Sequence, residues 1–243
     1  MTSREVILRE MGLTPIWVNR ARAVEAPSSE LPGPAVVADP EPSLEPQQSA
    51  ADREAAIANL SWDELIASIA TCTACKLCKT RTNTVPGVGD RSPSWMVIGE
   101  APGENEDKQG EPFVGKAGQL LDALLAAVGK KRGDGVYIAN VIKCRPPGNR
   151  NPEPDEIAAC APYLSRQISL AQPKLLLATG KFAAQTLLNC DDTVGAMRAL
   201  PEADSQRDGV PIVVTFHPSY LLRSPLEKAK AWDDLVKAKA LVA

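Results

Sequence analysis

Two stretches of this chain carry groups that could move protons or stabilise charge. In GEAPGENEDKQGEPFVG, Gly99 to Gly115, the acids Glu100, Glu104, Glu106 and Asp107 crowd a Gly- and Pro-containing turn. The only histidine, His217, stands in FHPSYLLR, residues 216 to 223. Carboxylates accept protons and stabilise cationic centres, and an imidazole can donate to a developing anion. A third group is made of thiols. Cys72 and Cys75 form a Cys-x2-Cys pair, and Cys78 extends it into a second, overlapping pair. Cys144, Cys160 and Cys190 follow far downstream. A Cys-x2-Cys turn brings two thiolates to one metal centre, and two later cysteines could close a tetrahedron. Spacing alone does not choose between zinc and an iron–sulfur cluster, because both accept four thiolates. Cys190 stands apart and reads as a small buried hydrophobe.

Both acid–base stretches follow apolar runs. Trp95-Met96-Val97-Ile98 precedes the first and Ile212-Val213-Val214-Thr215-Phe216 leads into His217. An α/β sheet builds its sites where loops leave the carboxyl ends of strands, so these positions favour function. The pattern beyond residue 90 alternates: strand 94–99, helix 115–129, strand 136–142, helix 153–171, strand 174–179, helix 181–189, strand 211–216 and helix 225–240. Asn151-Pro152-Glu153-Pro154-Asp155-Glu156 is a strong helix start, with proline and acids in the first turn. Continuous apolar strands such as Leu175-Leu176-Leu177-Ala178 are expected where helices cover both faces of a sheet. The expected fold is α/β, a three-layer sandwich around a parallel sheet of about four strands.

Upstream, residues 51–71 read as helix, with Ser61 capping the second half and Glu64 three residues on. Residues 23–50 hold six of the 21 prolines together with Ala, Ser and Glu, a composition expected of a flexible linker. Residues 1–22 form a separate N-terminal segment, with a short helix expected over 3–12 and an extended run at Pro15-Ile16-Trp17-Val18. It could dock a protein partner or be a disordered tail with a few apolar residues. Residues 51–243 then form the main domain.

The chain has 243 residues, 44% of them hydrophobic, a normal share for a globular protein. No run of eighteen apolar residues suggests a membrane span, and the N-terminus lacks the apolar core of a signal peptide. A cytoplasmic location is the expectation. In that setting six cysteines point to metal or catalysis more than to disulfides. Charge is uneven: residues 1–71 hold 5 basic against 11 acidic side chains, and residues 72–243 hold 22 against 19. A body so weakly basic would need a local patch to hold a polyanion.

GEAPGENEDKQGEPFVG, YIANVIKCRPPGNRNPEPDEI (137–157) and FHPSYLLR together resemble the motifs of family 4 uracil-DNA glycosylases, the iron–sulfur type. The resemblance spans roughly residues 70 to 240. It implies a uracil-DNA glycosylase-like fold, uracil-containing DNA as partner and hydrolysis of the bond between uracil and deoxyribose after base flipping. It also implies a [4Fe–4S] cluster on Cys72, Cys75, Cys144 and Cys160, with a structural role. Glu106 matches the acid that orients or activates water near the sugar, with Asp107 as its nearest competitor. His217 matches the donor beside uracil O2, Phe113 the aromatic stacked on the flipped base and Asn140 the reader of the N3–H and O4 edge. Glu100 and Ala101 would line the pocket through their backbone. Asn149 matches a further family position. Leu221 or Leu222 could fill the gap left by the extruded base. Lys143, Arg145, Arg150, Lys181 and Arg223 are expected phosphate contacts. Without the motifs, Glu106 would be one acid in a solvated run and Phe113 a plain core residue. A metal-stapled nucleic-acid-binding domain without catalysis and an iron–sulfur electron carrier are the competing classes.

Overall fold

Alternate residues of β2 (Trp95–Gly99) point into two different cores, which explains why its whole length is apolar. Met96 and Ile98 join one hydrophobic cluster, Trp95 and Val97 another. The same split runs through β3 (Val136–Asn140), β4 (Leu175–Thr179) and β6 (Val210–Thr215). One cluster takes Leu164, Ile168 and Ala171 from α5 (Pro154–Ala171), Ala183, Ala184 and Leu187 from α6 (Lys181–Leu188), and Met197 from α7 (Val194–Arg198). The other takes Leu121 and Leu125 from α4 (Lys116–Ala127) and Leu235 and Ala238 from α9 (Lys228–Ala240). Helices thus cover both faces of the sheet, the three-layer arrangement expected. The computed structural model describes residues 50–242. The N-terminal segment and all but the last residue of the proline-rich stretch lie outside them.

The sheet has six strands in the order β1-β3-β2-β4-β6-β5. The four long strands are parallel: β2 pairs with β3 on one side and β4 on the other, and β4 pairs with β6. The other two strands are short antiparallel additions at the edges, β1 (Val88–Gly89) on β3 and β5 (Gln206–Arg207) on β6. Two-residue strands carry no readable alternation, so they extend the expected four-stranded sheet without a sequence signal. Because β3 and β4 flank β2, the chain leaves β2 towards one side and later returns on the other. This reversal opens a crevice at the carboxyl ends of the strands.

Residues 51–71 form two helices, α1 (Ala50–Ala58) and α2 (Trp62–Thr71). Ser61 separates them, and the Glu64 carboxylate accepts from its backbone N–H at 2.8 Å. Two further helices fall where loops were expected. The acid run after β2 folds into α3 (Glu104–Gln109), and FHPSYLLR contains α8 (Pro218–Arg223). The expected helix at 225–240 starts with a 3-10 turn, so α9 proper begins at Lys228. No helix among the described residues is long and apolar enough to cross a membrane.

Candidate active site

A cleft of about 480 Å³ lies at the carboxyl ends of the parallel strands. Glu100, Ala101, Glu106, Phe113, Asn140, Asn149 and His217 all line it, and so do Arg150 and Arg223. Its size suits a small planar ligand.

Asn140 ends β3 and is only 2% exposed. Its Oδ1 is buried without a hydrogen-bond partner among the described residues. Such an orphan acceptor is costly unless something else satisfies it. Gly99, at the end of the adjacent β2, allows this placement. A Cβ there would stand 2.4 Å from Asn140 Oδ1 and 2.6 Å from the Phe113 ring.

Phe113 adopts a left-handed backbone, φ 54°, rare for an aromatic residue and a marker of local strain. Two neighbours hold it there. Arg132 donates to Pro112 O at 2.7 Å and to Phe113 O at 2.9 Å, while its Nε is 3.1 Å from Asp122. At Gly118 a Cβ would sit 1.7 Å from Phe113 O, so only glycine lets the loop fold back on α4. The Phe113 ring stacks near His217, centroids 5.6 Å apart and planes 29° from parallel.

His217 follows β6 and caps α8. Its Nδ1 accepts from the backbone N–H of Ser219 at 3.2 Å and lies 2.7 Å from Ser219 Oγ. A main-chain amide can only donate, so Nδ1 carries the lone pair and the neutral ring holds its proton on Nε2. Burial, reinforced by Arg223, pulls the imidazole down to about 4 despite the opposing pull of Glu106. His217 is therefore a neutral Nε2–H donor at pH 7.

Glu106 is the third residue of α3, and its carboxylate is held by three backbone amides. Oε2 accepts from Gly103 N at 3.1 Å; Oε1 accepts from Val114 N at 3.0 Å and Gly115 N at 3.2 Å. It therefore ties the start of α3 to the start of α4 while facing the cleft. Asp107 points elsewhere. Its carboxylate is buried and accepts from the backbone N–H groups of Thr82 and Asn83. That removes it as a competitor. Glu100 is half-buried in the cleft, and loss of hydration raises its carboxyl above the usual range.

The basic residues divide. Arg223 lines the cleft and has no carboxylate partner among the described residues. Arg150 is engaged by the protein itself: its two terminal nitrogens meet both oxygens of buried Glu156 at 2.9 and 2.5 Å. Arg145 is outside the cleft lining; it donates to Asn149 Oδ1 at 2.7 Å and lies 3.5 Å from Glu104. Two expectations are corrected. Leu221 is 0% exposed and packs inward from α8, so it is not a wedge for DNA; its neighbour Leu222, 43% exposed, faces solvent. Lys143 is not a phosphate contact, because it is buried.

Cys72, Cys75, Cys78, Cys144 and Cys160 line a second, smaller cavity, whereas Cys190 lies in a separate groove. Cations surround these thiols. Arg81 Nη1 is 3.1 Å from Cys144 Sγ, Arg53 Nη2 is 3.7 Å from Cys72 Sγ, and Lys143 lines the same cavity. Burial pushes the thiols of Cys75 and Cys144 up and that of Cys160 up to about 12. Among the described residues no three ligating groups stand close enough to hold a single metal ion. Lys76 bonds Glu153 and Arg150 bonds Glu156, which fastens the Cys75 turn and the 145–151 loop to the start of α5.

Ser219, Arg132 and Gly99 escaped the sequence reading. Ser219, two residues beyond His217, could have been found as the partner that sets its tautomer. Arg132 has no such local signal, because it meets Phe113 only through the fold.

The model of the uracil DNA glycosylase superfamily matches residues 86–236, and the chain belongs to that superfamily. Curated relatives narrow the assignment. It is 41% identical over 182 residues to the type-4 uracil-DNA glycosylase of Archaeoglobus fulgidus, covering 73% of this chain and 91% of that one. It is 42% identical over 173 residues to the type-4 enzyme of Thermotoga maritima, covering 70% and 89%. Similarity to the type-5 uracil-DNA glycosylase of Thermus thermophilus is lower, 34% over 118 residues, covering 43% and 53%. The chain is a member of the type-4 group.

Proposed function

We propose that this protein removes uracil from DNA by hydrolysing the bond between the base and deoxyribose, leaving an abasic site. The observation that carries this reading is the unpartnered Oδ1 of Asn140, buried in a cleft shared with Glu106, Phe113 and His217. A flipped uracil presents an N3–H donor beside an O4 acceptor. The carboxamide answers both, Oδ1 accepting and Nδ2 donating. Phe113 offers the ring face on which the base stacks.

Breaking the N1–C1′ bond leaves the electron pair on uracil and positive character on the sugar. His217, neutral with its proton on Nε2, donates to the forming anion at O2. Glu106 stabilises the cationic sugar and orients the water whose oxygen forms the new bond to C1′; the proton that water loses ends on the uracil anion, so that neutral base and abasic sugar result. Its three amide donors occupy lone pairs on both oxygens and hold the carboxylate in one orientation, so little reorganisation accompanies the reaction. Arg223 is the cleft cation left to meet a phosphate, and Leu222 is the apolar side chain exposed beside it.

The same reading includes a [4Fe–4S] cluster on Cys72, Cys75, Cys144 and Cys160. The donor set fits: these four thiols line one cavity, with Cys78 as a fifth beside them, and Arg53, Arg81 and Lys143 offset an anionic centre. When bound, the cluster supplies iron–thiolate bonds that tie the Cys72–Cys75 turn to β3's exit and to α5. Hydrolysis requires no electron transfer, so this role is structural.

A cleavage assay on a uracil-containing oligonucleotide, run with metal analysis on the same anaerobic sample, tests the reading. The expected results are strand scission after alkaline treatment and about four iron atoms per chain. His217→Ala and Glu106→Ala should each lower the single-turnover rate at least about tenfold, roughly 1.4 kcal/mol in the barrier. Binding without cleavage would leave the metal-stapled binding module, and one zinc per chain would exclude the cluster.

A further inference from the structure

Lys143 is 1% exposed and among the largest fully buried side chains of the protein. Lysine is almost never buried without a partner charge, because taking an ammonium out of water is costly. No carboxylate pairs with it among the described residues. Its hydrogen bond goes to the main-chain oxygen of Asn140, with Nζ 2.6 Å away. On its other side it lines the thiol cavity together with Cys144 and Cys160. Lys143 therefore stands between the two centres of the molecule: its side chain lines the thiol cavity, and its N–H reaches the residue whose Oδ1 awaits a ligand.

We propose that Lys143 is a positioning residue for base recognition: its buried Nζ–H clamps the backbone of Asn140 and thereby aims the carboxamide into the cleft. This inference rests on the functional reading above for the base that Asn140 meets.

The test compares Lys143→Met with wild type in the iron-loaded full chain. Methionine has a similar length and apolar bulk but no donor. Four quantities are measured: iron per chain with the visible absorbance, the affinity for free uracil by equilibrium dialysis, the affinity for abasic-site DNA, and KM separately from kcat on uracil DNA. The expected result is unchanged iron with uracil affinity weakened at least tenfold, while affinity for abasic-site DNA stays within twofold. Iron-loaded Lys143→Met that binds uracil as tightly as wild type would overturn the proposal. If this variant does not take up iron, Lys143→Gln, which keeps an N–H donor, is measured in the same way. Iron with at least partial recovery of uracil affinity then supports the clamp, and failure of both variants to hold iron overturns it in favour of a role in building the cavity. Wild type that neither binds uracil nor cleaves uracil DNA would overturn the functional reading itself, and this inference with it.

Discussion

Replacing Gly99 by alanine adds one methyl group at the floor of the cleft. It would arrive 2.4 Å from Asn140 Oδ1 and 2.6 Å from Phe113 Cζ, where ordinary contact begins at 3.4 Å. Both side chains must therefore retreat by about 1 Å, a displacement that can cost on the order of a hundredfold in rate at a reacting centre. Asn140 is buried and Phe113 is held by Arg132, so neither moves freely. The retreat open to them is into the cleft. The fold should then lose only the roughly 1–3 kcal/mol typical of one overpacked methyl. Base recognition should lose a comparable amount, because an acceptor shifted by 1 Å no longer meets N3–H, about 1–3 kcal/mol for an unmade buried bond. Single-turnover excision of uracil by Gly99→Ala is expected to fall between about tenfold and a hundredfold. Urea unfolding should show that the protein remains folded at the assay temperature. A folded variant cleaving within twofold of wild type would refute the claim that Asn140 and Phe113 form the base slot.

Two other substitutions probe the same cleft. His217 has its folded value near 4, below the ordinary 6.5, so the folded state stays neutral while the unfolded chain takes up a proton. Stability from this group is complete above pH 6.5 and is lost as pH falls towards 4, by up to about 3 kcal/mol. His217→Gln should flatten that part of the pH–stability curve, and parallel curves for the two proteins would contradict a buried neutral imidazole. Asn140→Asp exchanges the amide donor for a second acceptor facing O4. Uracil excision should drop at least about tenfold, and a retained rate with retained uracil preference would exclude Asn140 as the reader.

The four long strands were legible because each is a continuous apolar run with both faces covered. His217 was legible from its place after an apolar run, whereas Glu106, Phe113, Asn140 and Asn149 came with the family motifs. Other features depend on tertiary context. The acids of α3 show no apolar stripe; the helix forms where Glu106 gathers amides from Gly103, Val114 and Gly115. Leu221 and Leu222 are chemically alike, and only the roll of α8 buries one and exposes the other. Lys143 looked like a surface cation until the chain wrapped around it, and Arg150 looked like a phosphate contact until Glu156 met it from α5. Arg132 meets the Phe113 loop only because the chain turns back after α4.

The three amides on Glu106 bear on how an inert uracil sensor should be made. Removing that carboxylate would also unfasten two helix starts, so such a variant would blur lost chemistry with a slackened grip. Among the described residues His217 makes its side-chain hydrogen bonds only with Ser219, two positions away. A trap that lingers on damaged DNA without cutting it is better built by altering the imidazole and leaving the acid in place.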